Sequence, residues 1–154
     1  MTKKNHKRFA YPWAIAVILF MYPFWGLFAS IAFFVAMVLG STAPDYLEFG
    51  RIKHRTFTHL PWLWVFCYAL GVSVTSHFNM GLVASCMVAG ICLGAISHWV
   101  GDLGTPMGVP ILTTKKRYSL NMWKTGHISE IKPIIMAWLA VFVFIVFKYL
   151  HQSL

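Results

Sequence analysis

The sequence predicts an all-α integral membrane protein: a small bundle of about four to five transmembrane or re-entrant helices, with two polar loops converging on one membrane face. Three observations point there. Of 154 residues, 58% are hydrophobic and only 11% are charged, against roughly 25% charged in an ordinary soluble domain. Long apolar stretches recur along the whole chain, and the mean hydropathy is +0.66. The four acidic residues, Asp45, Glu48, Asp102 and Glu130, all fall in or beside the segments between those stretches. The chain reads as one membrane domain over 1–154.

The apolar regions are about 10–40, 60–76, 80–100 and 131–150. The last three approach the roughly 17–25 residues that a spanning helix needs. The first is long for one span and short for two. Pro12 and Pro23 lie in it, and proline breaks or kinks a helix by removing a donor and clashing with the preceding turn. It is therefore one long kinked helix, or two short segments that turn near Tyr22–Gly26. Lys3, Lys4, Lys7 and Arg8 precede it, as in a signal peptide. The apolar stretch outruns the roughly 7–15 residues of such a leader, so it reads as a retained membrane segment.

Regions 60–76 and 80–100 are joined by a very short turn near His77–Asn79. If both span, they form a hairpin, and the loops at 41–59 and 101–130 lie on one side of the membrane. Arg51, Lys53 and Arg55 are in the first loop, and Lys115, Lys116, Arg117, Lys124 and Lys132 in or beside the second. The positive-inside rule then places both loops in the cytoplasm. A basic N-terminus also prefers the cytoplasm, which favours two segments in 10–40. The formal net charge of +9 is accounted for by these flanking residues meeting anionic lipid. No basic recognition helix or RNA-binding motif is present, so nucleic acid is not an expected partner. Cys67, Cys86 and Cys92 sit inside apolar runs without CxxC spacing and read as core residues.

The ionisable residues of the loops carry the chemistry. Ionisable groups at membrane depth are costly and mark function. His98 and Asp102 are four residues apart and share one helical face, so one helix end offers a nitrogen and an oxygen to a metal. The same face continues through Gly94 and Gly90, where another helix can approach closely. The pair equally suits a buried hydrogen bond at a helix end. In the first loop, Asp45 and Glu48 are three apart, and in a helix Arg55 would share a face with His59, and His54 with Thr58. Ordinary juxtamembrane polarity is the alternative, with Asp45 capping a helix and arginines meeting phosphates. In the second loop, Thr105, Pro106 and Gly108 turn the chain. His127 and Glu130 close the loop. Glu130 reads as a ligand, as a carboxylate orienting a histidine, or as an acid favoured by the dipole at the start of the last helix. His6, His77 and His151 lie outside these clusters, and no role follows for them.

Gly40 to Asp45, His54-Arg55 with Thr58-His59, and His98 with Asp102, Thr105 and Gly108 together resemble the YdjM-like family, LexA-regulated, membrane-bound, metal-dependent hydrolases of bacteria and archaea. The stretch from Gly126 to Glu130 joins the resemblance more weakly. The motifs cover roughly 36–130 in the same order. The resemblance implies a metal centre at one face of the bacterial or archaeal cytoplasmic (inner) membrane. By it Asp45, His54, His59, His98 and Asp102 are metal ligands, holding one or two divalent ions. Mixed histidine and carboxylate ligation suits zinc best, or manganese or iron. One position departs from the family: Leu47 stands where a second Asp is common, so either Glu48 substitutes or the set has one ligand fewer.

The function this implies is metal-assisted hydrolysis of a phosphoester in a membrane lipid or lipid-linked substrate. Arg55 would stabilise developing charge, Glu48 or Glu130 would act as base or orient a ligand, and Thr58 would accompany His59. Two rivals stand beside it. One is a non-enzymatic membrane protein with a structural metal or a partner-binding site. The other is a small ion transporter, disfavoured because regions 60–76 and 131–150 offer almost no polar pathway.

Overall fold

The computed structural model describes residues 1–48 and 55–152. Five α-helices account for most of them: α1 (Lys3–Gly40), α2 (Ala43–Leu47), α3 (Pro61–His77), α4 (Gly81–Leu103) and α5 (Ile131–Gln152). Short 3-10 turns at Phe57–His59 and Ile128–Glu130 lead into α3 and α5. The departure from an all-helical chain is a two-residue antiparallel ladder, in which β1 (Val109–Pro110) pairs with β2 (Arg117–Tyr118).

The α1 segment is not straight. Gly26 has φ 67° and ψ −173°, a conformation essentially confined to glycine. The chain reverses there, so that Tyr11 stacks on Phe34 at 5.9 Å. Pro12 and Pro23 lie within the helix without breaking it. Of the two alternatives for 10–40, the structure has the pair of arms, 3–25 and 27–40. Both open ends therefore meet the end of α4. The second arm is about 21 Å long at about 1.5 Å per residue, shorter than a hydrocarbon core of about 30 Å.

The α3–α4 hairpin turns through Phe78–Met80, with Asn79 at φ 49°. Three helices, α1, α4 and the segment 128–150, are long and apolar enough to cross a membrane. Many of their large side chains, including Phe24, Phe28, Phe142 and Phe147, are exposed, which suits a lipid surround rather than water. The interior is built on small residues. A Cβ on Gly40 would strike the backbone of Ile91, and one on Gly94 would strike Met37 and Ser41. The Gly90–Gly94 face of α4 is thus where the second arm of α1 packs, and that close approach brings Ser41 to His98.

Loop two is pinned to the end of α4. The Trp123 indole donates to the Gly101 carbonyl at 3.0 Å, and the amides of Leu120 and Met122 donate to the carbonyls of Leu103 and Gly104 at 2.9 and 2.8 Å. These bonds satisfy carbonyls that the last turn of a helix leaves unpaired. Loop one meets loop two through Arg55, and the first turn of α3 meets it through Trp62, whose indole donates to the Leu112 carbonyl at 3.3 Å.

Candidate metal centre

The centre is built outward from the last turns of α4. His98 and Asp102 are both buried, at 0% and 1% exposure. His98 Nδ1 lies 2.8 Å from the Ser41 carbonyl. A carbonyl only accepts, so Nδ1 carries the proton and Nε2 presents its lone pair to the interior. Asp102 Oδ2 is 3.5 Å from that nitrogen.

Two further side chains reach the same point from loop one. Pro44 is the second residue of α2, and Asp45 follows in its first turn. Asp45 Oδ1 lies 3.5 Å from both His98 Nε2 and His59 Nε2. Burial alone would raise the Asp45 carboxyl, but hydrogen bonding with His59 and His98, and the charge of His98 and His6, hold it well below the usual carboxylate range. His59 ends the 3-10 turn, fully buried, with Nε2 3.1 Å from His98 Nε2 and 3.9 Å from Asp102 Oδ2.

Glu48 stands behind His59. Its Oε1 is 3.1 Å from His59 Nδ1 and accepts from the Arg55 amide at 2.9 Å and the Thr58 hydroxyl at 3.0 Å. Thr58 is also 3.2 Å from His59 Nδ1. Asp45 and Glu48 thus address opposite nitrogens of one imidazole. At this position the Glu48 carboxylate can hold the His59 ring by its Nδ1.

The helical register expected between Arg55 and His59 is absent, because Arg55 adopts φ 60°. Its guanidinium is buried and donates to Asp102 Oδ1 at 2.8 Å, to Thr105 Oγ1 at 2.8 Å and to the Gly108 carbonyl at 3.0 Å. The turn after α4 is thereby tied to loop one. Gly108, at φ 63°, lies against Tyr118 so closely that a side chain would collide with its backbone.

Asp45, His59, His98 and Asp102 therefore converge, with Glu48, Thr58 and Arg55 around them. His54, with Arg51 and Lys53, lies outside the described residues. Glu130 does not join the cluster. It is fully buried and accepts from the Thr2 amide and hydroxyl, the Asn5 side chain and the Gly126 amide. His127 is exposed and caps the turn into α5 by accepting from Ser129.

His6 is the residue that sequence reasoning left out. It is 1% exposed, stacks on His98 with ring centroids 3.7 Å apart, and places Nε2 3.2 Å from Asp102 Oδ1. The signal for it was the reversal near Gly26, which returns the start of α1 to the face of the two loops.

Two imidazole nitrogens and two carboxylate oxygens suit a borderline divalent ion better than magnesium or calcium. The two imidazole nitrogens lie 3.1 Å apart and 3.5 to 3.9 Å from the carboxylate oxygens. Ligands about 2.0–2.1 Å from a tetrahedral ion lie about 3.3–3.4 Å apart. The residues fit such an ion. Comparison of the chain with protein-family models, with curated proteins and with solved structures finds no match.

Proposed function

We propose that the chain is a membrane-embedded, metal-dependent hydrolase that acts on a phosphoester of a lipid or lipid-linked substrate at the membrane face, as its resemblance to the YdjM-like family implies. The observation that carries the proposal is the meeting of Asp45 and Asp102 on the Nε2 atoms of His59 and His98, at one end of a helical bundle whose other surfaces suit lipid. A divalent ion held by these residues supplies Lewis-acid activation of water and of a phosphoryl oxygen. Glu48 fixes the tautomer and direction of His59. Arg55 holds Asp102 in place and would add positive charge near the oxygens of a bound phosphate. Substrate meets the cluster from the side of Asp45, whose side chain is 12% exposed while those of His59 and His98 are fully covered. The basic loops favour the cytoplasmic side, and a headgroup is what a site at this level meets first.

The deep burial of His59, His98 and Asp102 favours a second reading, a structural metal in a non-enzymatic membrane protein. One experiment separates the two. Purified protein in lipid bilayers is given phosphoester lipids, and His98→Ala and Asp102→Ala are compared with wild type. Lost hydrolysis in variants that stay folded supports the enzyme. Loss of the folded protein itself supports the structural metal.

A further inference from the structure

Two sets of potential ligands share His98. One is His6 with Asp102, and the other is Asp45 with His59. They look like the halves of a two-ion centre, but His98 cannot serve both. His98 Nδ1 is committed to the Ser41 carbonyl, so His98 has a single lone pair, on Nε2, to give to a single ion.

The rings decide which set receives it. The lone pair of an imidazole nitrogen lies in the plane of its ring. His6 and His98 are nearly parallel, 14° apart, and stacked at 3.7 Å, so their lone pairs run in separate planes and do not meet. His59 stands at 66° to His98, and their Nε2 atoms approach to 3.1 Å. Among the described residues, only this pair of rings points at a common centre.

Asp102 divides in the same way. Its Oδ1 faces Arg55 and the Met1 amino group, with His6 Nε2 at 3.2 Å. Its Oδ2 faces His98 and His59. Asp102 thus has one oxygen for an ion and one for its neighbours.

We infer that the centre holds one ion per chain, bound by Asp45 Oδ1, His59 Nε2, His98 Nε2 and Asp102 Oδ2. His6 lies outside the coordination sphere as a positioning residue, its ring bracing His98 and its Nε2 facing the spare oxygen of Asp102. The inference rests on the metal-dependent reading above and goes beyond it in fixing the stoichiometry, the ligand atoms and the role of His6. Four protein ligands leave room for exogenous oxygen only if the ion expands beyond four-coordination, as manganese, iron and zinc can.

The full chain, purified in detergent and loaded with Mn²⁺, tests this by elemental analysis and electron paramagnetic resonance. The expected result is one ion per chain with the six-line spectrum of an isolated Mn²⁺. Two ions per chain, or an exchange-coupled pair, overturns the inference while leaving the metal reading intact. No bound metal in wild type overturns both. His6→Phe keeps a ring to stack on His98 but has no nitrogen. It should retain one ion, with affinity weakened by no more than the roughly 10–100-fold typical of an outer partner. His59→Ala should lose the ion. If His6→Phe loses the ion as His59→Ala does, His6 is a ligand. A readout on wild type alone guards against a variant that fails to fold. Pulsed resonance with ¹⁵N-histidine labelling counts the coordinating imidazoles: two are expected, and three would reject the assignment.

Discussion

Glu48 Oε1 lies 3.1 Å from His59 Nδ1, while Asp45 Oδ1 lies 3.5 Å from His59 Nε2. Two carboxylates three residues apart thus take the two nitrogens of one ring, and their roles differ accordingly. Glu48→Gln is predicted to keep the Arg55 amide and Thr58 contacts while losing the charge behind His59. Metal affinity should fall about 10–100-fold, without loss of stoichiometry at saturating metal. Asp45→Asn should weaken binding further, because it removes a ligand oxygen. Titration of both apo variants with zinc against a competing chelator measures the order. Equal losses in the two would place Glu48 among the ligands.

The Arg55–Asp102 contact at 2.8 Å is buried, and so it behaves differently from a surface ion pair. Removing one partner of a buried pair leaves an uncompensated charge and costs about 3–5 kcal/mol. Arg55→Ala is predicted to lose stability on that scale, measured by chemical denaturation in detergent. Arg55→Lys should rescue little of it, since an ammonium cannot reproduce the fork that reaches Asp102, Thr105 and Gly108 together. A lysine variant as stable as wild type would show that charge alone suffices.

How far the sequence disclosed this arrangement depends on the kind of signal each residue leaves. The helices were legible because burial in lipid demands uninterrupted apolar runs: 60–76, 80–100 and 131–150 match α3, α4 and α5 within a few residues. His98 and Asp102 were legible because their spacing is helical. The route by which loop one reaches them was not. It depends on a left-handed Arg55 and a short 3-10 turn, neither of which has a periodic signature. Glu130 looked like a member of the cluster because it is one of only four acids. Its partners at Thr2 and Asn5 lie more than a hundred residues away in the sequence, and no local pattern could have named them. His6 was hidden for the same reason.

Close helix approach makes Gly94 a sharp test of the packing. A methyl there collides with backbone atoms of Met37 and Ser41, which cannot rotate away as a side chain could. Gly94→Ala is predicted to cost about 1–3 kcal/mol by overpacking, and to reduce metal binding as well, because Ser41 would no longer reach His98. Gly26→Ala meets nothing within 4 Å and is strained by its backbone angles alone, at about 1–3 kcal/mol. It should lose stability but bind metal normally once folded. Thermal melts and metal titrations on both variants make the comparison. Normal metal affinity in Gly94→Ala would mean that the Ser41 contact does not govern His98.

Glu130 gathers four donors from two segments: the Thr2 amide at 2.9 Å, the Thr2 hydroxyl at 3.0 Å, the Gly126 amide at 3.0 Å and the Asn5 side chain. A carboxylate so occupied has little capacity left to accept a proton from water, but it ties the first turn of α1 to the start of α5. Glu130→Ala strands these donors in a buried place, at about 1–3 kcal/mol for each group left unsatisfied. The first turn should then loosen, freeing the helical backbone at the already exposed Lys3 and Lys4 for cleavage by trypsin in protein that is otherwise folded. The donors around Glu130 are Thr2, Asn5 and Gly126, and none is among the proposed ligands, so bound metal should survive. The combination of faster cleavage near the N-terminus and retained metal marks a structural tie. Unchanged proteolysis together with a lost hydrolytic rate would instead return Glu130 to the role of general base.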